Sequence, residues 1–143
     1  MRETWFLVIL LIFTACNSKD PATLVQYLDG YWEITKVERD GQIIKEYRFN
    51  ENIDFFEIDG MQGIRKKVKP QLDGTYLVTN DFEKVEIEIE DSRLILSYTT
   101  PYDSGKEKVV EIKENTLVME KEAGIIYHYQ RYQPLIINNY EKE

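Results

Sequence analysis

The side chains able to do chemistry in this chain are few and widely separated. Cys16 is the only cysteine and His128 is the only histidine. A histidine that acts as a base or metal ligand needs partners, and no nucleophile elbow, phosphate loop or metal-ligand set accompanies it. The sequence therefore predicts no enzyme, no metal site and no cofactor. It leaves the thiol of Cys16 as the group whose surroundings are informative.

Cys16 follows a segment that is typical of secretion. Arg2 gives a short charged start, residues 5–13 ("WFLVILLIF") are continuously apolar, and the small residues Thr14 and Ala15 come next. These features are the n-region, h-region and cleavage site of a signal peptide. The apolar run is too short for a membrane-spanning helix, which needs about 20 residues. A plain secreted protein with an incidental cysteine is the alternative.

The ending "FTAC" resembles the lipobox of bacterial lipoproteins, with Phe13 where the common pattern has leucine. The resemblance implies a diacylglyceryl thioether on Cys16, removal of residues 1–15 as a lipoprotein signal peptide, and a lipidated tether over residues 16–20. Because each buried CH₂ contributes about 0.8 kcal/mol, two or three acyl chains would hold the protein at a membrane. We therefore expect a lipid-anchored protein of the bacterial cell envelope.

Residues 21–143 are predicted to form one domain. Lipidation would use the only thiol, so the domain has no disulfide, and its stability must come from a hydrophobic core. The formal net charge of −8 argues against nucleic acid as a partner.

The pattern of the domain is all-β. A short helix is expected after Asp20, because an aspartate can cap it and Pro21 suits its first position. Everything after Gly30 reads as short strands separated by turn signals such as Asp40-Gly41. Sequential hairpins favour an antiparallel up-and-down meander, and closure into a barrel removes its exposed edges. We predict an antiparallel β-barrel of about 8–10 short strands with a short N-terminal helix.

The segment Gly30-Tyr31-Trp32, placed after a short helix and before a meander, resembles the start of a lipocalin. In that family an arginine near the end of the last strand packs across the tryptophan at the closed end of the barrel, and Arg131 stands where that residue would be. The chain lacks the family's Thr-Asp-Tyr motif. The nearer likeness is to the small lipocalin-like domains of bacterial lipoproteins. Because a buried tryptophan with a guanidinium stacked on it stabilises a fold, we expect Trp32 and Arg131 to form a structural plug, with ligand contact as the alternative.

Strand alternation then indicates which side chains line the interior and which face outward. The candidate ligand-lining residues are Ile34, Leu94, Leu96, Tyr98, Tyr127 and Tyr129. Val85, Ile87 and Ile89 should also face inward, whereas His128 should face outward. The basic cluster Arg65, Lys66, Lys67 and Lys69 is predicted to be a solvated strand or loop, with anionic lipid headgroups or an acidic partner as the alternative.

Two functions follow from these patterns. In the first, the barrel of a membrane-anchored lipoprotein binds a small apolar or amphipathic molecule, entering from the end opposite Trp32. In the alternative, the barrel is filled by side chains, and the protein is a non-enzymatic structural or interaction protein of the bacterial cell envelope. The presence of a cavity distinguishes the two.

Overall fold

The structure is a computed structural model that describes residues 20–134. The predicted signal peptide, the predicted lipidation site Cys16 and residues 135–143 lie outside the described residues. Within those residues, no helix is both long and apolar enough to cross a membrane.

The described residues form one short helix, two 3₁₀ turns and ten strands. The helix α1 is Pro21–Leu24 and runs into the 3₁₀ turn Val25–Tyr27, and a second 3₁₀ turn, Glu122–Gly124, precedes the last strand. The strands are β1 (Gly30–Arg39), β2 (Gln42–Glu46), β3 (Ile53–Asp59), β4 (Gln62–Pro70), β5 (Tyr76–Val78), β6 (Glu83–Glu90), β7 (Arg93–Thr99), β8 (Ser104–Ile112), β9 (Thr116–Lys121) and β10 (Ile125–Arg131).

Eight of these strands close into an antiparallel barrel in the order β1-β3-β4-β6-β7-β8-β9-β10, and β10 pairs back with β1. The closing register runs from Trp32 opposite Arg131 to Arg39 opposite Ile125. The all-β, closed antiparallel barrel with a short N-terminal helix confirms the predicted fold class. The remaining strands lie outside the barrel path: β2 pairs with the second half of β1, and β5 with the end of β4.

Local turn chemistry sets the hairpins. Asp40 and Gly41 have φ values of 52° and 74°, and Asp91 and Ser92 have φ values of 48° and 60°. Two successive positive φ values are what a two-residue type I′ turn requires, and its twist matches that of the flanking strands. These two turns fix the β1–β2 and β6–β7 registers.

The core fills the half of the barrel nearest the helix. Leu28, Trp32, Phe56, Leu96 and Leu117 have no exposed surface. The helix begins where it was expected, with Asp20 Oδ1 accepting a hydrogen bond from the Ala22 amide at 3.0 Å.

On β6, the prediction for the inward face holds for Val85 and Ile87, which are 1% and 5% exposed. It is wrong for Ile89, which is 43% exposed. Ile89 lies opposite Leu94 beside the β6–β7 turn, so it sits on the rim of the barrel and not inside it.

Arg131 closes this end of the barrel. Its guanidinium lies 3.8 Å from the centre of the Trp32 ring, and it donates hydrogen bonds to three backbone carbonyls, those of Tyr27 (2.8 Å), Asp29 (2.6 Å) and Glu114 (3.0 Å). The indole Nε1 of Trp32 in turn donates to the Leu28 carbonyl at 2.8 Å. One side chain therefore ties the helix, the entry to β1 and the β8–β9 turn to the last strand.

We predict that Gly30→Ala destabilises the protein by more than about 3 kcal/mol, since two costs combine. Gly30 has a φ of +108°, where a side chain is strained by about 1–3 kcal/mol. A Cβ there would also lie 2.8 Å from Nη1 of Arg131 and force the guanidinium off its charge-assisted hydrogen bonds.

Urea denaturation measures the change, with Gly60→Ala as the control. Gly60 also has a positive φ (+62°), but nothing lies within 4 Å of an added Cβ, so only backbone strain of about 1–2 kcal/mol is expected. Equal losses in the two variants would contradict the role given to Arg131.

Candidate functional site

The end of the barrel opposite the Trp32–Arg131 plug is open. Two clefts meet there, one of about 690 Å³ and one of about 320 Å³. Their common wall includes Arg65, Glu83, Thr100 and Lys121. We call this region the open-end cleft.

The six predicted ligand-lining residues divide into two groups. Ile34, Tyr127 and Tyr129 line the larger part of the open-end cleft, and Tyr98 lines the smaller part. Leu94 and Leu96 line neither part; they are 1% and 0% exposed within the core cluster. Apolar side chains fill the half of the barrel nearest the plug, which leaves no space beside these two leucines.

The most consequential difference from the sequence analysis concerns the basic cluster. Arg65 was predicted to be solvated, but its side chain is only 11% exposed and points into the barrel. In the sheet it lies opposite Phe56 of β3 and Glu83 of β6. The interior of the open end is therefore charged, whereas the predicted lining consisted only of isoleucine, leucine and tyrosine side chains.

Arg65 is held by two carboxylates and an aromatic ring. Its Nε donates to Glu83, its Nη1 donates to Glu107 Oε2 at 3.2 Å, and its guanidinium carbon lies 3.9 Å from the centre of the Tyr98 ring. Burial alone would lower the pKa of Arg65, but the neighbouring Tyr98, Glu107 and Glu83 together hold that pKa above its ordinary value. Arg65 is a fixed, oriented cation.

Glu107 is the buried centre of the charge network. It is 3% exposed and accepts hydrogen bonds from Arg65 and from the Tyr98 hydroxyl (2.8 Å), and Lys121 Nζ lies 2.9 Å from its Oε1. Burying a carboxylate costs several kcal/mol unless charge-assisted donors compensate for lost water. Burial raises the pKa of Tyr98 well above its ordinary value, so its hydroxyl stays protonated and remains a donor to Glu107.

A second ion pair completes the polar floor. Asp54 is 3% exposed, and Lys67 Nζ lies 2.7 Å from its Oδ1, in an ionic contact outside hydrogen-bonding directions. The lysines are much more accessible than their partners: the side chains of Lys67 and Lys121 are 65% and 39% exposed. The lysines thus bring exposed positive charge to the mouth, where the exposed carboxylates of Asp81, Asp103 and Glu122 also lie.

The charged side chains of the open-end cleft are held in fixed positions, so the arrangement is suited to binding and orienting a charged group. Residues 20–134 contain no cluster of histidine, cysteine and acidic side chains suited to a metal ion. His128 lies on the opposite strand face from Tyr127 and Tyr129, with Nε2 3.3 Å from Glu38 Oε2, and it does not line the open-end cleft.

Sequence reasoning missed Arg65, Asp54, Glu83, Glu107 and Lys121. Part of the signal was present, because strand alternation places Glu107 on the same face as Val109, an inward core position. The interior position of Arg65 depends on its neighbours on two other strands, and these cannot be predicted from the sequence of β4 alone.

Comparison with known proteins gives one sequence match and several structural ones. Residues 28–119 match the family model described as a lipocalin-like domain. No curated protein matches the sequence.

Three solved structures are similar to the barrel. A lipocalin-like protein from Bacteroides uniformis is 13% identical, with a TM-score of 0.48, over 74% of this chain and 99% of that chain. An uncharacterized protein from Bacteroides eggerthii is 13% identical, with a TM-score of 0.47, over 73% and 99%. Lobster apocrustacyanin A1 is 14% identical, with a TM-score of 0.41, over 75% and 62%.

We predict that Glu107→Gln destabilises the barrel by about 3–5 kcal/mol, because it breaks a buried charge network and leaves cations without their shared partner. The change is nearly isosteric, so lost charge and not lost volume is measured. Urea denaturation followed by Trp32 fluorescence gives the free energy of unfolding.

The matched control is Glu111→Gln on the same strand. Glu111 is 45% exposed and pairs with Lys113 at the surface, where an ion pair contributes at most about 1 kcal/mol. If the two substitutions cost the same, Glu107 does not organise the interior as described.

Proposed function

Since this chain belongs to the lipocalin-like domain family, we propose that it is a non-enzymatic binding protein that holds a small amphipathic molecule in the open-end cleft. We further propose that a lipid on Cys16 anchors it to a membrane of the bacterial cell envelope.

The observation that carries the binding proposal is the division of the barrel interior into two halves. The half nearest Trp32 is packed with apolar side chains, and the other half opens into a cleft of about 690 Å³. That volume lies in the range usual for small-molecule sites, about 300–1,000 Å³. Ile34, Tyr127 and Tyr129 provide apolar and aromatic walls beside charged groups, a combination suited to an amphipathic ligand and not to a purely apolar one.

The position of the helix determines how the proposed lipid anchor would orient the barrel relative to the membrane. Arg131 binds the Tyr27 and Asp29 carbonyls, so the helix and the residues that follow it sit at the closed end. The four steps from Cys16 to Asp20 span at most about 14 Å. A lipid on Cys16 would therefore keep the plug beside the membrane surface and leave the open-end cleft at the far end of the barrel, accessible from the aqueous side.

Aromatic and apolar side chains on the outside of the barrel favour the second candidate function, that of an interaction protein of the cell envelope. Tyr31 stacks on Tyr76 (ring centres 4.4 Å apart, 7° between planes) and contacts Phe55 at 4.6 Å. A nearby outer cleft of about 520 Å³ includes Phe49 and Leu72, which are 80% and 75% exposed. Exposed apolar surface of this kind is typical of protein contacts.

We predict that Asn52→Trp abolishes ligand binding, because Asn52 is an exposed residue that lines the mouth of the open-end cleft and an indole there would fill it. Native mass spectrometry of the purified protein should first detect co-purified small molecules. Calorimetry with a panel of fatty acids, isoprenoids and haem then measures binding to the wild type and the variant.

Asn115→Trp is the matched control, since Asn115 is exposed at the β8–β9 turn beside the closed end. It should leave binding unchanged. If no compound co-purifies or binds, or if both tryptophan variants bind as the wild type does, the open-end cleft is not a ligand site and the interaction function takes its place.

We predict that Cys16→Ser releases the protein from membranes or leaves its signal peptide uncut, because serine cannot form the thioether. Membrane fractionation and electrophoretic mobility of the two forms test this. A serine variant that fractionates and migrates like the wild type would show that Cys16 is not lipidated.

A further inference from the structure

We infer that the open-end cleft selects ligands with a carboxylate head group, and that this group takes the place of Glu83 on the guanidinium of Arg65. The inference rests on the proposed function, since it assigns the chemistry of the ligand in the same cleft.

Arg65 presents a fixed binding surface. Its guanidinium lies 3.9 Å from the centre of the Tyr98 ring and 5.9 Å from that of Phe56, and Glu107 holds its Nη1. These contacts set the plane of the guanidinium before any ligand arrives. A planar, oriented guanidinium matches the geometry of a carboxylate better than that of any neutral group.

The two carboxylates that Arg65 already binds are not equivalent. Glu107 is 3% exposed and is held by Arg65, Tyr98 and Lys121. Glu83 is 36% exposed, is the first residue of β6, and among the described ion pairs contacts only Arg65. Glu83 is therefore the partner that can leave into water at little cost, while Glu107 stays.

Exchange of one carboxylate for another preserves the interactions of Arg65. A ligand carboxylate restores the charge-assisted hydrogen bond that Glu83 gave up, whereas a ligand hydroxyl offers only a neutral acceptor to a buried cation, which is about half as strong. A ligand ammonium would meet Arg65, Lys67 and Lys121 as like charges. The buried guanidinium of Arg65 therefore favours a carboxylate head group over a hydroxyl or an ammonium.

The lysines at the mouth and the aromatic wall complete the fit. Lys67 and Lys121 line the open-end cleft at the same end of the barrel as Arg65, where they can contact an anionic head group. Lys121 also lies 4.7 Å from the centre of the Tyr127 ring. The apolar chain of the ligand would lie along Ile34, Tyr127 and Tyr129 in the larger part of the cleft.

Three probes with the same ten-carbon chain test the inference: decanoate, decanol and decylamine, titrated calorimetrically into the purified full chain at neutral pH. Decanoate should bind about tenfold more tightly than decanol, as a charge-assisted hydrogen bond exceeds a neutral one by roughly 1–1.5 kcal/mol. Decylamine should bind most weakly.

Glu83→Gln is the decisive variant, because it weakens the internal competitor at a third-exposed position without opening the core. It should strengthen decanoate binding about five- to tenfold and decanol binding by less than about twofold, because the hydroxyl gains only a neutral contact with the freed guanidinium. Glu86→Gln makes the same charge change on the same strand, at an exposed residue that does not line the open-end cleft, and should alter neither affinity.

The outcomes separate the two levels of the proposal. Equal binding of decanol and decanoate, or a Glu83→Gln effect that Glu86→Gln reproduces, would overturn the carboxylate inference and leave ligand binding intact. Binding of none of the three probes, in the wild type or in Glu83→Gln, would count against both.

Discussion

The contact between Arg131 and Trp32 is the constraint on which the rest of the barrel depends. A closed barrel has to join its last strand to its first, and in this chain no disulfide is available to fix that seam. The Trp32–Arg131 pair lies at one end of the β1–β10 register, and the same guanidinium binds backbone carbonyls from the helix, from the residue before β1 and from the β8–β9 turn. Chain segments that are distant in sequence are thereby held by one side chain.

A second arginine, Arg65, lies in the other half of the interior. Its hydrogen-bond partners differ in kind from those of Arg131. Within residues 20–134, the three hydrogen bonds of the Arg131 guanidinium all go to backbone carbonyls, which cannot be moved without unfolding a turn. Arg65 binds carboxylate side chains, one of them a third exposed. A side chain can rotate away from its partner, whereas a backbone carbonyl in a turn cannot, and the proposed exchange of Glu83 for a ligand rests on this difference between the two arginines.

The sequence predicted the parts of this arrangement that local chemistry determines. The tight turns, the helix start at Asp20 and the alternation of β6 and β7, apart from Ile89, are determined by adjacent residues. The tryptophan and arginine of the plug were predicted through a family resemblance. Charged residues inside the barrel were not predicted, because hydrophobic alternation treats a charged position as solvent-facing. Arg65 becomes an interior residue only through its register with Phe56 and Glu83 on two other strands.

The off-barrel position of β2 has a similar explanation. β1 changes register with β10 between Ile34 and Lys36, and with β2 between Val37 and Glu38, so its second half leaves the line that β3 follows. Bulges of this kind bend a strand and increase its twist. The sequence predicted about 8–10 strands but not that eight form the barrel and two lie outside it. A bulge depends on how two strands pair, so it cannot be predicted from the sequence of either strand alone.

The charge network also explains why an open end is compatible with a stable barrel. A wide cleft lined only by apolar side chains would expose them to water, whereas here the buried floor and the exposed mouth carry Asp54, Arg65, Lys67, Glu83 and Lys121. These groups are paired with one another and with the buried Glu107, so they interact favourably with water at the mouth and with their partners at the floor. Such a network contributes little net stability, because desolvation of the buried charges offsets their attraction. The apolar half around Trp32, Phe56 and Leu96 therefore supplies most of the stability. The charged half contributes little to it, so its side chains can differ without loss of the fold, as a ligand site requires.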